Sequence, residues 1–259
     1  MLPALRRARI IELLRRDGAA GLKEMSEALG VSVSTLRRDV DYLCENGHIE
    51  RTHGGAMLKE GRAHGVELDR DIASELNSDA KSQIGRHAAA LIQPGQTVIL
   101  DSGTTTAAAA RAARDRGIRF TAVTNDFLVA AILSESPHIQ VTVAGGSVRS
   151  GTSTLMGADT LQYMHRLRAD LAFVGAHALT VDEMSDTSIE LAELKRMIIA
   201  AADHPVLLAD SSKIFSRAFC AFGAPAGLGR LITDAQVAPD RLAALRGKGT
   251  RVDVAGEQP

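Results

Sequence analysis

The residues with the most chemical capacity fall into two groups. Early in the 259-residue chain, Ser32, Ser34, Thr35, Arg37 and Arg38 crowd together, and Arg51, His53, Gly54 and Gly55 follow soon after. Serine and threonine hydroxyls donate to phosphates or base edges, and an arginine forks onto a guanine or anchors a phosphate. That set suits double-stranded DNA. The second group is spread over the remainder: Asp101-Ser102-Gly103-Thr104-Thr105-Thr106, Thr124-Asn125-Asp126, Gly145-Gly146 and Asp210-Ser211-Ser212-Lys213. Small hydroxyl residues and a glycine let the backbone approach an anion at a helix N-terminus, where free N–H groups and the helix dipole favour phosphate. The carboxylates, amide and ammonium of the other stretches add partners for hydroxyls, so the list fits a small, polyhydroxylated, phosphorylated ligand. The Asp101–Thr106 stretch lacks both the Gly-Lys-Ser/Thr close of a Walker loop and GxGxxG, so neither nucleotide hydrolysis nor a dinucleotide is indicated.

The first group needs a helix to present it. Residues 4–16 put Leu5, Ala8, Ile11 and Leu14 near one face and arginines around the other, an amphipathic helix ended by Asp17-Gly18. Leu22–Leu29 reads as a second helix, with Leu22, Met25, Ala28 and Leu29 on one side and Gly30 where the chain wants a positive φ. Ser32 then occupies an N-cap position, and Val33–Asn46 forms a third helix closed by Gly47. Leu36, Val40 and Leu43 recur at i, i+4 and i+7 and pack inward, leaving Ser34, Thr35, Arg37 and Arg38 largely on other faces. Helix, glycine turn and a second helix with a polar, basic opening make the helix-turn-helix pattern. His48–Met57 alternates briefly, and Gly54-Gly55 reads as a hairpin turn, giving a β-wing that carries Arg51 and His53 to the DNA backbone or minor groove. A bland alternative stands beside this, because short helix pairs with glycine turns also occur in proteins that never touch DNA. Nine basic residues face eight acidic ones through Ala56, so any DNA affinity requires the positive groups to be sorted onto one surface.

The second group needs strand ends. Apolar stretches at Thr97–Leu100, Phe120–Val123, Val141–Ala144, Leu171–Val174, Val206–Ala209 and Arg230–Ile232 read as strands, with helical patterns at Lys81–Ile92, Thr105–Arg116, Phe127–Leu133 and Ile189–Ala202 between most of them. Alternating βα units imply a largely parallel sheet covered on both faces, in which ligands bind beyond the C-terminal strand ends. Taken singly, a Thr-rich helix start can be only a cap, Gly-Gly only a turn and Asp-Ser-Ser-Lys only a surface loop. Their shared placement after successive strands favours one crevice.

Composition bounds the rest. Hydrophobic residues make up 45% and charged residues 24%, as in an ordinary globular protein, and the length accommodates two domains. With 3% aromatics and no Trp, the core must rest on Ala, Leu, Ile and Val. No apolar run reaches the roughly 18 residues of a membrane span, and the arginine-rich start lacks the apolar stretch of a signal peptide, so a cytoplasmic protein is expected. Cys44 and Cys220 have no ligand or CxxC spacing and read as thiols, with no metal or cofactor implied.

The run Leu29–Ala56 resembles the N-terminal signature of the DeoR family of bacterial sugar-operon regulators. The matching residues are Val31, Ser32, Thr35, Leu36, Arg37, Arg38, Asp39 and Val40, followed by His53, Gly54, Gly55 and Ala56. SGTTT, TN, GG and DSSK, in that order, are similar to the same family's sensor domain, so the resemblance covers nearly the whole chain. It implies a winged helix-turn-helix domain over 1–57, a linker over 58–79 and an α/β effector-sensing domain over 80–259, the last resembling the ribose-5-phosphate isomerase and glucosamine-6-phosphate deaminase fold. By that resemblance Ser102, Gly103, Thr104, Thr105 and Thr106 hold the phosphate of a sugar-phosphate effector, while Asp101, Asn125 and Lys213 meet its hydroxyls or phosphate. Asp186 and Lys195 match a family stretch reading D…E-A-x-x-K, with one departure: Leu191 stands where the family has Glu, with Glu190 and Glu193 beside it. The implied protein is a repressor, a homo-oligomer on a symmetric operator. The rival reading, a sugar-phosphate isomerase with a DNA-binding domain attached, lacks an acidic D-G-A-D-E-type motif. The comparable stretch is Val174-Gly175-Ala176-His177, so no turnover is expected.

Overall fold

The computed structural model describes residues 1–58 and 68–256, and the middle of the expected linker, 59–67, lies outside the described residues. The chain divides into two compact units, Met1–Ser78 and Asp79–Pro259.

In the first unit, helix α1 spans Pro3–Asp17, strand β1 Ala19–Gly21, α2 Leu22–Leu29, α3 Val33–Glu45, β2 Ile49–Thr52, β3 Gly55–Leu58 and α4 Arg70–Glu75. The three strands form an antiparallel sheet in the order β1-β3-β2. Apolar periodicity sets the helices in place: Ala8, Ile11 and Leu14 of α1 are buried, with Ile10 and Leu13, against Met25, Leu36, Val40 and Leu43. Gly30 adopts φ 64° and Ser32 Oγ accepts the N–H of Thr35 at 3.2 Å, so the turn between α2 and α3 is built by the residues that the sequence marks for it. The linker boundary differs from expectation. Ile72 and Leu76 are buried in this same core and Leu68 packs on it, because one more apolar helical turn is needed to cover α1. Part of the segment read as a connector is therefore wall.

In the second unit the elements are α5 (Ser78–Ala90), β4 (Thr97–Leu100), α6 (Thr104–Asp115), β5 (Phe120–Thr124), α7 (Phe127–Ser134), β6 (Ile139–Val143), β7 (Ser147–Val148) and β8 (Leu155–Met156). They continue with α8 (Ala158–His165), β9 (Ala169–Gly175), β10 (Ala178–Leu179), β11 (Met184–Asp186), α9 (Ile189–Ala200), β12 (Ala202–Leu208), β13 (Cys220–Gly223), β14 (Arg230–Asp234), α10 (Pro239–Gly247) and β15 (Val252–Ala255). Seven strands make one sheet in the order β15-β14-β12-β9-β4-β5-β6, and every neighbouring pair is parallel. Burial on both faces follows from the alternation of side chains. Val98 and Leu100 join Ile84, Ala109 and Val129 on one side, while Ile99 joins Met164, Ala192, Ile198 and Leu245 on the other. Each fully buried aliphatic side chain contributes about 1.5–3 kcal/mol. The alanine run of α6 lets backbones approach closely, and a Cβ on Gly85 of α5 would lie 2.6 Å from the Ala108 carbonyl carbon.

The topology singles out one place. From β4 the chain proceeds to β5 and β6 on one side, whereas β9, β12, β14 and β15 fill the other. The order reverses between β4 and β9, and the crevice at such a switch point lies beyond the C-terminal strand ends, here Asp101 and Gly175.

Candidate functional site

In the first unit, α3 offers its opening turn to solvent. Ser32, Val33, Ser34, Arg37 and Arg38 are exposed, Thr35 is half-buried, and neither arginine enters an ion pair among the described residues. Ser32 Oγ lies 3.0 Å from Ser34 Oγ and 2.9 Å from Thr35 Oγ1, so the three hydroxyls form one cluster at the helix start. Asp39, next in the same motif, is not on that surface. It is buried and accepts from Arg6 Nε and Arg7 Nε of α1, fixing the angle at which α3 stands. Arg7 also stacks 3.4 Å above the Tyr42 ring, and Tyr42 donates to Asp69.

The wing differs from expectation in one residue. The two-residue turn is His53-Gly54, with Thr52 opposite Gly55. Gly55 lies in β3 between β1 and β2, where a Cβ would stand 2.2 Å from the Ala20 carbonyl oxygen. It is buried, so its role is close strand packing and not DNA contact. His53 and Gly54 are exposed at the tip, and Arg51 pairs with Asp41 of α3 at 2.8 Å.

In the second unit, the candidate residues converge on the switch point. Lys195 of α9 is buried, with Nζ 2.5 Å from Asp101 Oδ2 and 3.4 Å from Asp186 Oδ2. Burial alone would lower its pKa, but the two carboxylates outweigh that and hold the ammonium above its ordinary value. Asp101 also accepts the N–H groups of Ser102 at 2.7 Å and Gly175 at 3.1 Å. A Cβ at Gly175 would sit 3.5 Å from the Ser102 carbonyl oxygen and 4.0 Å from Lys195 Nζ, ordinary van der Waals distances, so Gly175 borders the cluster without the packing requiring a glycine there. At the departure from the family stretch, Leu191 is buried, Glu190 and Glu193 are exposed, and Lys195 pairs with Asp101 and Asp186.

Beside the cluster, α6 opens at Gly103 with φ 125°. Helix geometry leaves the N–H groups of Thr104, Thr105 and Thr106 without intrahelical acceptors, and the glycine cap has no side chain to serve them. Thr106 Oγ1 donates to the Gly103 carbonyl at 2.8 Å, which rigidifies the turn. At the end of β5, Asn125 is completely buried, and neither its Oδ1 nor its Nδ2 finds a hydrogen-bond partner among the described residues. Asp126 is committed elsewhere, capping α7 through Leu128 N and Val129 N and accepting from Ser153 Oγ at 2.7 Å.

Gly145 and Gly146 have a structural place. A Cβ on Gly146 would fall 2.2 Å from Thr160 Oγ1, and the Gly145 carbonyl accepts from that hydroxyl. After β12, Asp210 is buried. Desolvation pushes its carboxyl up, but Lys213, Ser212 and Lys81 together bring it below its ordinary value.

Two basic residues escaped the sequence reading. Lys81, buried in α5, is one. Gly85 abuts Ala108, and Arg116 at the far end of α6 donates to the Ile92 carbonyl at 2.8 Å, so the two helices run the same way and Lys81 lies at the crevice end. Its i, i+4 relation to Gly85 was the available signal. The other is Arg149, whose Nη2 donates to Thr187 Oγ1 at 3.3 Å. It sits between two-residue strands too short to leave a pattern.

A helical head with a β-wing, followed in the chain by a doubly covered parallel sheet whose switch point gathers buried charges, defines a winged helix-turn-helix regulator with an α/β sensing unit. Two family models match it: DeoR-like helix-turn-helix domain over residues 6–62 and DeoR C terminal sensor domain over residues 76–235. The chain belongs to the DeoR family of DNA-binding transcription regulators. It is 33% identical to the HTH-type transcriptional regulator GlpR of Haloferax volcanii, over 97% of this chain and 98% of that one. It is 31% identical to the glycerol-3-phosphate regulon repressor of Escherichia coli, covering 87% and 88% of the two chains, and to the lactose phosphotransferase system repressor of Lactococcus lactis, covering 90% and 92%. Among solved structures, ribose 5-phosphate isomerase A of Methanocaldococcus jannaschii aligns over 53% of this chain and 55% of that one, at 19% identity and TM-score 0.39. No helix among the described residues is long and apolar enough to cross a membrane.

Proposed function

We propose that this regulator is a cytoplasmic homo-oligomer that represses a carbohydrate-catabolism operon and is released from its operator by a phosphorylated sugar or related metabolite. The observation that carries the sensor half is the buried Asp101–Lys195–Asp186 cluster set against the open N-terminus of α6. The free N–H groups of Thr104–Thr106 suit a phosphate, with Ser102 and Gly103 forming the bend and Lys81 and Lys213 adding positive charge nearby. Asn125 and the carboxylates of Asp101 and Asp186 suit sugar hydroxyls. The relatives named for glycerol 3-phosphate and for a phosphotransferase system point the same way. On the DNA side, Ser32, Ser34, Thr35, Arg37 and Arg38 would enter the major groove, with Arg51, His53 and Gly54 on the flanking backbone.

Linkage supplies the logic, because an effector that prefers the DNA-incompetent state lowers operator affinity by that preference. The test is a thermal-shift panel of sugar phosphates, their unphosphorylated parents and nucleotides. Binding at a hundredfold excess over Kd stabilises the native state by about 2.7 kcal/mol. A shift with a phosphosugar but not its parent is expected, and a panel in which only unphosphorylated sugars shift the transition would overturn the phosphate reading.

A further inference from the structure

The head exposes few large apolar side chains. Among the described residues of this unit they are Met1 and Leu2 at the chain start and Val33, 38% exposed, at the first position of α3. Val31, two residues earlier, packs on the core of the head, whereas Val33 belongs neither to that core nor to the half-buried side chains around it. Helix formation does not favour a valine there. A β-branched residue is a weaker helix former than most, and its isopropyl group caps nothing, since Ser32 already serves the Thr35 N–H. The first turn of α3 also carries no acidic residue, although an acid at that end would suit the helix dipole. An acid there would also repel a DNA phosphate, so the helix opens on uncharged groups.

Helical periodicity gives Val33 its neighbours. Residues four apart lie on one stripe, so Val33, Arg37 and Asp41 follow one another along α3. Val33 stands at the border between this stripe and the buried face of Leu36 and Val40, and it is exposed rather than packed. Arg37 is exposed, and Asp41 is neutralised by Arg51 of the wing at 2.8 Å. The stripe thus runs from an apolar group to a cation in solvent to a compensated acid. Isopropyl carbons neither donate nor accept a hydrogen bond, so a phosphate or a polar base edge gains nothing from them. Of the groups that the base pairs present in the major groove, one is apolar: the 5-methyl group of thymine. Val33 precedes Arg37 by about 6 Å along the helix axis, which corresponds to roughly two base-pair steps.

We infer that Val33 is a base-reading residue, whose isopropyl group seats on the 5-methyl group of an operator thymine while Arg37 engages the DNA one helical turn further along. This rests on the reading above that α3 enters the major groove. The alternative is that Val33 only begins the helix, in which case no thymine methyl depends on it.

Fluorescence anisotropy of the full-length, effector-free protein separates these, on the duplex that the wild-type chain enriches best from a library of randomised DNA. Each thymine of that duplex is replaced singly by deoxyuridine, which deletes the methyl group and leaves every hydrogen-bonding group in place. At one thymine of a half-site the exchange should weaken wild-type binding about fourfold. Val33→Ala should bind the thymine duplex about 4- to 10-fold more weakly and lose its response to that exchange. Its salt slope and thermal transition should match wild type, because the contact releases no counterion and supports no packing. A wild-type chain indifferent to every exchange would overturn the inference, and so would normal binding by Val33→Ala. A Val33→Ala variant that keeps the full deoxyuridine penalty would show that another side chain reads the methyl, and would overturn it too. A flattened salt slope or a lowered melt would assign Val33 to backbone placement or helix stability instead. A wild-type chain that enriches no sequence, or unchanged binding by both Arg37→Ala and Arg38→Ala, would remove the major-groove reading and this inference with it.

Discussion

At the scale of single residues, neighbours in one motif do unlike work. Arg37 and Arg38 stand in solvent while Asp39, one position on, is buried under two arginines of α1. The first pair is therefore available to DNA and the third residue to the fold. Arg37→Ala or Arg38→Ala should cost about 1–3 kcal/mol of operator binding where the side chain forks onto a base, and should flatten the salt dependence where it meets phosphate. Fluorescence anisotropy at two salt concentrations checks this, and unchanged affinity and slope would exclude that side chain from the interface. His48 gives a pH prediction. Its Nε2 is buried without a hydrogen-bond partner among the described residues, and burial holds its pKa below the usual 6.5, with Asp69 opposing weakly. The folded head thus binds fewer protons than the unfolded chain. Its contribution is fully present above the unfolded value of 6.5 and is lost as pH falls below it toward the folded value. Thermal melts at about pH 7.5 and 5.5 should show a larger acid loss for wild type than for His48→Gln. Equal losses would place the acid sensitivity elsewhere.

At the scale of elements, packing geometry decides what a sequence pattern can announce. The contact of α5 with α6 depends on Gly85, since an added Cβ would meet the Ala108 and Ala109 backbone at 2.6–2.7 Å. Gly85→Ala forces the helices apart and should destabilise the sensing unit by about 1–3 kcal/mol, although alanine is the better helix former. Denaturant unfolding that found Gly85→Ala more stable would refute this packing. The same physics explains which elements were legible. Long periodic runs such as α2 at Leu22–Leu29, and buried strands such as β4 at Thr97–Leu100, announce themselves, because many residues repeat one burial rule. The two-residue strands β7, β8 and β10 repeat nothing, and β11 and β13 owe their pairing to distant partners. Arg149 was invisible for that reason. Lys195 and Asp186 were legible as residue types, but their meeting with Asp101, 94 positions from Lys195 along the chain, follows only from the strand order. Gly55 reads in sequence as part of a turn, and only the third strand reveals it as a spacer.

At the scale of the whole molecule, the net charge of −1 means that DNA affinity comes from local sorting of charge and not from a basic surface. Arg6 and Arg7 pair with Asp39 and Arg51 with Asp41, while Arg37 and Arg38 are exposed and enter no ion pair among the described residues, so the proposed reading assigns those two to the operator. The proposed effector residues all lie in the other unit, so under that reading the two tasks should separate under mutation. Thr105→Ala removes a hydroxyl from the opening of α6, where the proposed reading seats the effector's phosphate on the first N–H groups of the helix. Without effector it should bind the operator within about twofold of wild type, since nothing in the head has changed. With effector it should lose most of a release that typical coupling energies place at about 5- to 150-fold. Arg37→Ala should do the reverse, binding operator poorly while keeping the full effector-induced thermal shift. Operator titrations with and without a phosphosugar that shifts the wild-type melt test both variants together. Weak operator binding by effector-free Thr105→Ala would mean that this loop supports the DNA-competent state itself, and a normal release would remove Thr105 from the effector site.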